Sequence, residues 1–355
     1  MFFEKLKNNE SGILLYGQTP PKQNHQNLEN LLELRKKRLN LLDVDGIVIY
    51  DLQDEGDRND EKRTFEFVKT IDPYEYYKSL ELKFPGIIYK SVGKYNQDEF
   101  IKSLKFDTNI ANVFVGASSK DQKIKLSLKK AYEIKKEFAK DIPLGGICIP
   151  ERHEIKHNEH LKVANKTLNG CEFFITQAVY NAINAKNFID DYAKLNIKKV
   201  PIIFTFTPCG SLKTFEFMKW LGISIPPFLE NRLKNSIDIL QSSVSLSFEM
   251  FEFIYRYAKN KGVIVGANVE SISTRKVEIE ASIKLLQDIK RSIDRKVWKI
   301  KQLGLLDFLR FYLKNLSKRL KISATTLINV KIVMVAVISP YALFYGWFED
   351  IFLII

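Results

Sequence analysis

Eight short apolar, β-branched runs punctuate the chain: Ile13–Tyr16, Gly46–Tyr50, Ile87–Val92, Asn112–Val115, Leu144–Ile149, Phe173–Thr176, Val200–Phe206 and Val263–Ala267. Helical patterns separate them, such as "NLENLLELRKKRLNLL" and "KIKLSLKKAYEIKKEFAK". Continuous apolar runs without polar alternation suit strands buried on both faces, as in parallel sheets with helical crossovers. Eight such strand–helix units in one chain predict a (β/α)8 TIM barrel, with a doubly wound open sheet as the rival. The interval between the seventh and eighth runs has room for two or three helices. The barrel is expected over residues 1–290.

A second segment, residues 291–355, is expected to form a basic amphipathic helix and an apolar tail. The formal charge of +13 is concentrated there: Arg291 to Lys321 hold ten Lys or Arg against two Asp. Leu306, Leu309, Leu313, Leu316 and Leu320 fall on one stripe, with cations opposite. Ile332 to Phe348 then run without a charge. Two readings stay open. In one, residues 305–355 contact a membrane surface. In the other, the tail packs on the barrel or on a second subunit of a homo-oligomer.

The chain has no GxGxxG, GKS/T or GxSxG motif, which argues against Rossmann, P-loop and nucleophile-elbow chemistry. Cys148, Cys171 and Cys209 are scattered and form no CxxC pair, so they fit a reducing compartment better than a disulfide framework. The opening "MFFEKLKNNE" turns charged too early for a secretion signal. A cytoplasmic location is the expectation.

A barrel of this class keeps its chemistry where strands end and loops begin. Gly17, Gln18 and Thr19 follow the first strand, and "DLQDEGDR" follows the second. "GASSK" follows the fourth, "PERHEIKHNEH" the fifth, "QAVYN" the sixth and "NVES" the eighth. His153, His157 and His160 share one helical face, a spacing that suits a metal ion but equally a solvated helix start. Gln177 closes a buried strand with an amide that can donate and accept at once, which suits a pterin-like edge.

"GGICIPERHE", "VANKTLNGCEFFITQAVYN" and "VPIIFTFTPCGSLKTFEFMKWLGISIP" resemble the methylenetetrahydrofolate reductase family, over most of Ser11 to Leu286. The resemblance implies a (β/α)8 barrel carrying FAD across its C-terminal mouth. It implies hydride transfer from NADH or NADPH through the flavin to methylenetetrahydrofolate, in one-carbon and methionine metabolism. His153 of "PERH" and Lys166 of "NKTLNGCEFFITQ" match positions near FAD, with Gly116 counted alongside them. Gln177 matches the pterin-contacting glutamine, and Tyr180 is assigned with it to the folate substrate.

Two acids of the family pattern are replaced. Gly17 stands where a proton-donating glutamate is expected before the Pro20–Pro21 turn. Val115 and Ala117 flank Gly116 where the family has Arg-Gly-Asp. Asp51, Asp54 and Glu55 are the preferred replacement acids, because their loop neighbours the first strand, with Glu151 as a further carboxylate. The alternative is a reductase-like barrel that binds folate or a partner without hydride transfer, or a methyl-transfer helper.

Overall fold

A computed structural model of the chain describes residues 2–53, 63–105, 107–117 and 123–295. Asp54, Glu55 and the whole of 296–355, including the leucine stripe and the apolar tail, lie outside the described residues.

The eight expected strands are present: β1 (Leu14–Gln18), β2 (Gly46–Ile49), β3 (Gly86–Ser91), β4 (Ile110–Val115), β5 (Leu144–Cys148), β6 (Phe173–Ala178), β7 (Ile202–Phe206) and β8 (Val265–Glu270). They pair in parallel and in chain order, and β8 returns to β1, closing a (β/α)8 barrel. Three helices, Leu212–Trp220, Pro227–Lys234 and Ile239–Asn260, occupy the long interval before β8.

Side-chain alternation divides the core in two. Leu15, Val48, Ile87, Val113, Ile175 and Ile203 point into the barrel. Their neighbours Tyr16, Ile47, Ile88, Phe114, Phe174 and Phe204 point outward and pack in the helix-facing layer. Both faces of every strand are therefore dry, which is why the runs read as apolar without alternation.

The N-terminal helix, Phe2–Lys7, adds Phe2 and Leu6 to the inner cluster. The Phe2 ring meets Phe173 edge-on with centroids 5.2 Å apart. This places an apolar plug with the inner core residues and leaves the C-terminal strand ends as the polar end of the barrel.

Two strands run further than their apolar patterns. β1 continues through Gly17 to Gln18, and β8 ends at Glu270 rather than Ala267. Register pairs Gly17 with Glu270, so the wall between β1 and β8 is closed at the level where β1 carries no side chain. Among the described residues no helix is long and apolar enough to cross a membrane.

Candidate functional site

The polar groups at the barrel's C-terminal end form one connected chain through β2, β8, β7 and β6. Tyr50 follows β2, and its hydroxyl and the Glu270 side chain crowd the same space beside Gly17, where each shifts the other's ionisation. The same hydroxyl accepts from Asn268 Nδ2 at 2.8 Å. Asn268 Nδ2 is also 3.1 Å from Thr205 Oγ1, whose own proton goes to the Thr176 carbonyl at 2.8 Å. Tyr89 packs edge-on against Tyr50, with centroids 4.9 Å apart. Asn268 Oδ1 is buried and has no partner.

Glu270 sits in this dry wall but keeps some accessible surface. Burial pushes its carboxyl up to about 7, against the opposing pull of the Tyr50 hydroxyl. Removing a carboxylate from water disfavours its charged form, and no cation is among the causes that set its shift. Tyr50 and Tyr89 are held well above the ordinary phenol range by burial and then by the Glu270 charge. Glu270 is thus an acid that changes charge near neutrality, carried on the strand beside Gly17.

Gly17 is what makes room for it. A Cβ built on Gly17 would stand 2.6 Å from Tyr50 Oη and 3.0 Å from Glu270 Cβ. The Tyr50–Glu270 pair fills the space that a side chain on β1 would need.

The strand-end positions expected from the sequence are distributed differently. Asp51 accepts from the Ser91 amide at 2.7 Å and from Lys94 Nζ at 2.6 Å. It braces the end of β2 to the end of β3. Gln177 donates to the Leu221 carbonyl at 2.7 Å. A register shift in β6, between Ile175 and Ala178, brings the Thr205 amide onto Thr176 Oγ1. Such bulges re-aim side chains at barrel rims. Tyr180 is fully buried in the helix-facing layer, its hydroxyl donating to the Thr207 carbonyl.

His153, Lys166 and Gly116 each have their own surroundings. The His153 ring is buried among helices, with Nε2 3.0 Å from Asp191 Oδ2 and a T-shaped contact with the Phe188 ring. Lys166 Nζ donates to the Ile147 carbonyl, and burial lowers its pKa. A Cβ on Gly116 would meet Leu128 at 2.7 Å, and its neighbours Val115 and Ala117 carry no charge. In this structure the His153 and Lys166 side chains are held by protein partners, Asp191 and the Ile147 carbonyl.

Glu270 is legible in the sequence as a polar residue at the end of the eighth run, but not as the acid of the site. It appears in "NVES", but the apolar run ends at Ala267, which leaves Glu270 in a loop by pattern alone. Barrel closure, which makes β8 the neighbour of β1, was the available signal. Glu151 also differs from a solvated loop acid: it is buried, both carboxylate oxygens lack a partner, and burial pushes it up to about 8.

The family model described as Methylenetetrahydrofolate reductase matches residues 121–260. A solved structure of an uncharacterized protein from Clostridium thermocellum is 47% identical, with a TM-score of 0.73; the match covers 82% of this chain and 99% of that one. That protein binds two copies of 5-methyl-5,6,7,8-tetrahydrofolic acid. An archaeal fructose 1,6-bisphosphate aldolase also matches, at 10% identity and a TM-score of 0.40, over 81% of this chain and 97% of its own. No curated protein matches the chain.

Proposed function

The chain belongs to the methylenetetrahydrofolate reductase family, and from that premise we propose that it binds a reduced folate at the C-terminal mouth of the barrel, anchored by Glu270. The observation that carries this reading is the Glu270 side chain packed with Tyr50 beside its register partner, the side-chain-free Gly17. A pterin presents two adjacent N–H donors, a ring N–H and an exocyclic amine. A carboxylate accepts both at once, and a charge-assisted pair of this kind is stronger than a neutral one. Asn268 Oδ1, a buried acceptor without a partner, lies two residues away on the same strand. Gln177, with its amide nitrogen given to the Leu221 carbonyl, would offer the pterin its amide oxygen from β6. The 47% identical relative, which binds 5-methyltetrahydrofolic acid, supports the ligand class.

Calorimetric titration of the full chain with 5-methyltetrahydrofolate tests the reading. Saturable binding by the wild type that weakens in Glu270→Gln supports it. Absence of binding by the wild type refutes it.

A second reading is reduction of methylenetetrahydrofolate with NADH or NADPH. What favours it is the same residue in its protonated form. An amine leaves poorly without a proton, and a positioned acid contributes roughly 10²–10⁴-fold. In this reading Glu270, the register partner of Gly17 with a carboxyl pushed up to about 7 by burial, would supply the proton expected from position 17. The flavin that this reaction uses would supply the hydride; the residues of this chain supply the proton and the folate pocket. A bound-flavin spectrum on the purified protein, bleached by NADH without oxygen, separates this reading from binding alone. A cytoplasmic setting belongs to the same proposal, and all three thiols are buried and unpaired.

A further inference from the structure

Three helices on the outside of the barrel converge on a group of side chains that folate binding does not use. His153 comes from Pro150–Lys156, His160 from Glu159–Leu168 and Asp191 from Ala182–Lys194. One donor atom from each lies within 4.8 Å of the other two. We propose that His153, His160 and Asp191 bind a divalent transition metal of the zinc class.

The geometry is already close to a ligand set. Zinc bonds of ~2.0–2.2 Å to nitrogen and oxygen place tetrahedral ligands roughly 3.3 Å apart. His153 Nε2 and Asp191 Oδ2 are 3.0 Å apart. The His153 and His160 rings stand at 90° with centroids 5.0 Å apart, so a small rotation of the half-exposed His160 brings in the third donor.

Nδ1 of His153 and Nδ1 of His160 are both buried and without a hydrogen-bond partner. A metal bound at His160 Nδ1 and His153 Nε2 takes up one lone pair from each ring and leaves the proton of His153 on Nδ1. Asp191 also has its second oxygen held: Lys194 Nζ donates to Oδ1 at 2.9 Å, which fixes the carboxylate as outer partners of metal ligands commonly do. Two imidazoles and one carboxylate suit zinc, cobalt or nickel rather than calcium or magnesium. With three protein ligands the fourth position falls to water, and the exposed His157 ring lies 6.0 Å from His153 at the rim.

The test uses the full chain stripped with chelator and titrated with Co(II), whose visible spectrum reports tetrahedral coordination, then with Zn(II) in competition. One Co(II) per chain, with an intense tetrahedral band displaced by Zn(II), is expected. His160→Gln should weaken binding by at least the 10–100-fold that loss of an outer partner costs. His25→Gln, at the one histidine remote from the group in sequence, should leave binding unchanged. The buried thiols of Cys148, Cys171 and Cys209 do not compete. Melting in chelator shows that His160→Gln is folded, and added Zn(II) should raise the melting temperature of the wild type but not of the variant. Substoichiometric Co(II), or a site that His160→Gln leaves intact, overturns the proposal. Neither outcome depends on folate binding, which is read separately by calorimetry.

Discussion

Gly17 and Glu270 are register partners on neighbouring strands, and the missing side chain of one accommodates the carboxyl-bearing side chain of the other. The position on β1 that lacks an acid is therefore not a void. Tyr50 and Glu270 already occupy it.

Gly17→Glu should accordingly fail to restore an acid from β1. Its Cβ would press on Tyr50 Oη and Glu270 Cβ, and overpacking of this sort costs roughly 1–3 kcal/mol. Gly17→Ala should show the same effect with less added bulk. Tyr50→Phe, combined with Gly17→Ala, should recover part of the loss, giving a non-additive double-mutant cycle in urea unfolding. Strict additivity would mean that Tyr50 does not limit the space at Gly17.

Tyr50→Phe alone should move the ionisation of Glu270. The neighbouring tyrosine hydroxyl pulls the carboxyl pKa down against burial. Without it the midpoint shifts above about 7. The pH dependence of 5-methyltetrahydrofolate affinity should shift in the same direction, measured by calorimetry across pH 6–9.

Glu151 should control stability against pH. It is buried, lacks hydrogen-bond partners for its carboxylate oxygens, and is pushed up to about 8 from an ordinary value of 4.5. The native state therefore keeps a proton that the unfolded chain has released. Stability falls as pH rises from 4.5 to 8, by at most on the order of 1.4 kcal/mol per pH unit from this group. Glu151→Gln should flatten that decline in melting temperature between pH 5 and pH 8. An unchanged slope would show that Glu151 is ionised in the folded protein.

The strands were legible because each is dry on both faces, so Val, Ile, Leu and Phe cluster without interruption. Their ends were less so. β8 passes from Ala267 into Asn268, Val269 and Glu270 while still paired to β1, and polar residues inside a barrel mouth look like a loop by composition. The setting of Asp51 was equally hidden: it sits in an acidic stretch after β2, and its oxygens accept from Ser91 and Lys94. Which carboxylate meets solvent and which braces a loop depends on neighbours from other strands. Likewise, "ERHEIKH" reads as a polar helix start, although the fold buries His153 against Phe188 and Asp191.

The affinity of the full chain for 5-methyltetrahydrofolate at pH 6 and pH 8 tests the role of Glu270 most directly. If the ionised carboxylate of Glu270 anchors the ligand, the wild type binds roughly tenfold more tightly at pH 8, following the fraction ionised around about 7. Glu270→Gln then binds weakly at both values. Equal affinity at the two pH values in the wild type, or undiminished affinity in Glu270→Gln, would contradict the account.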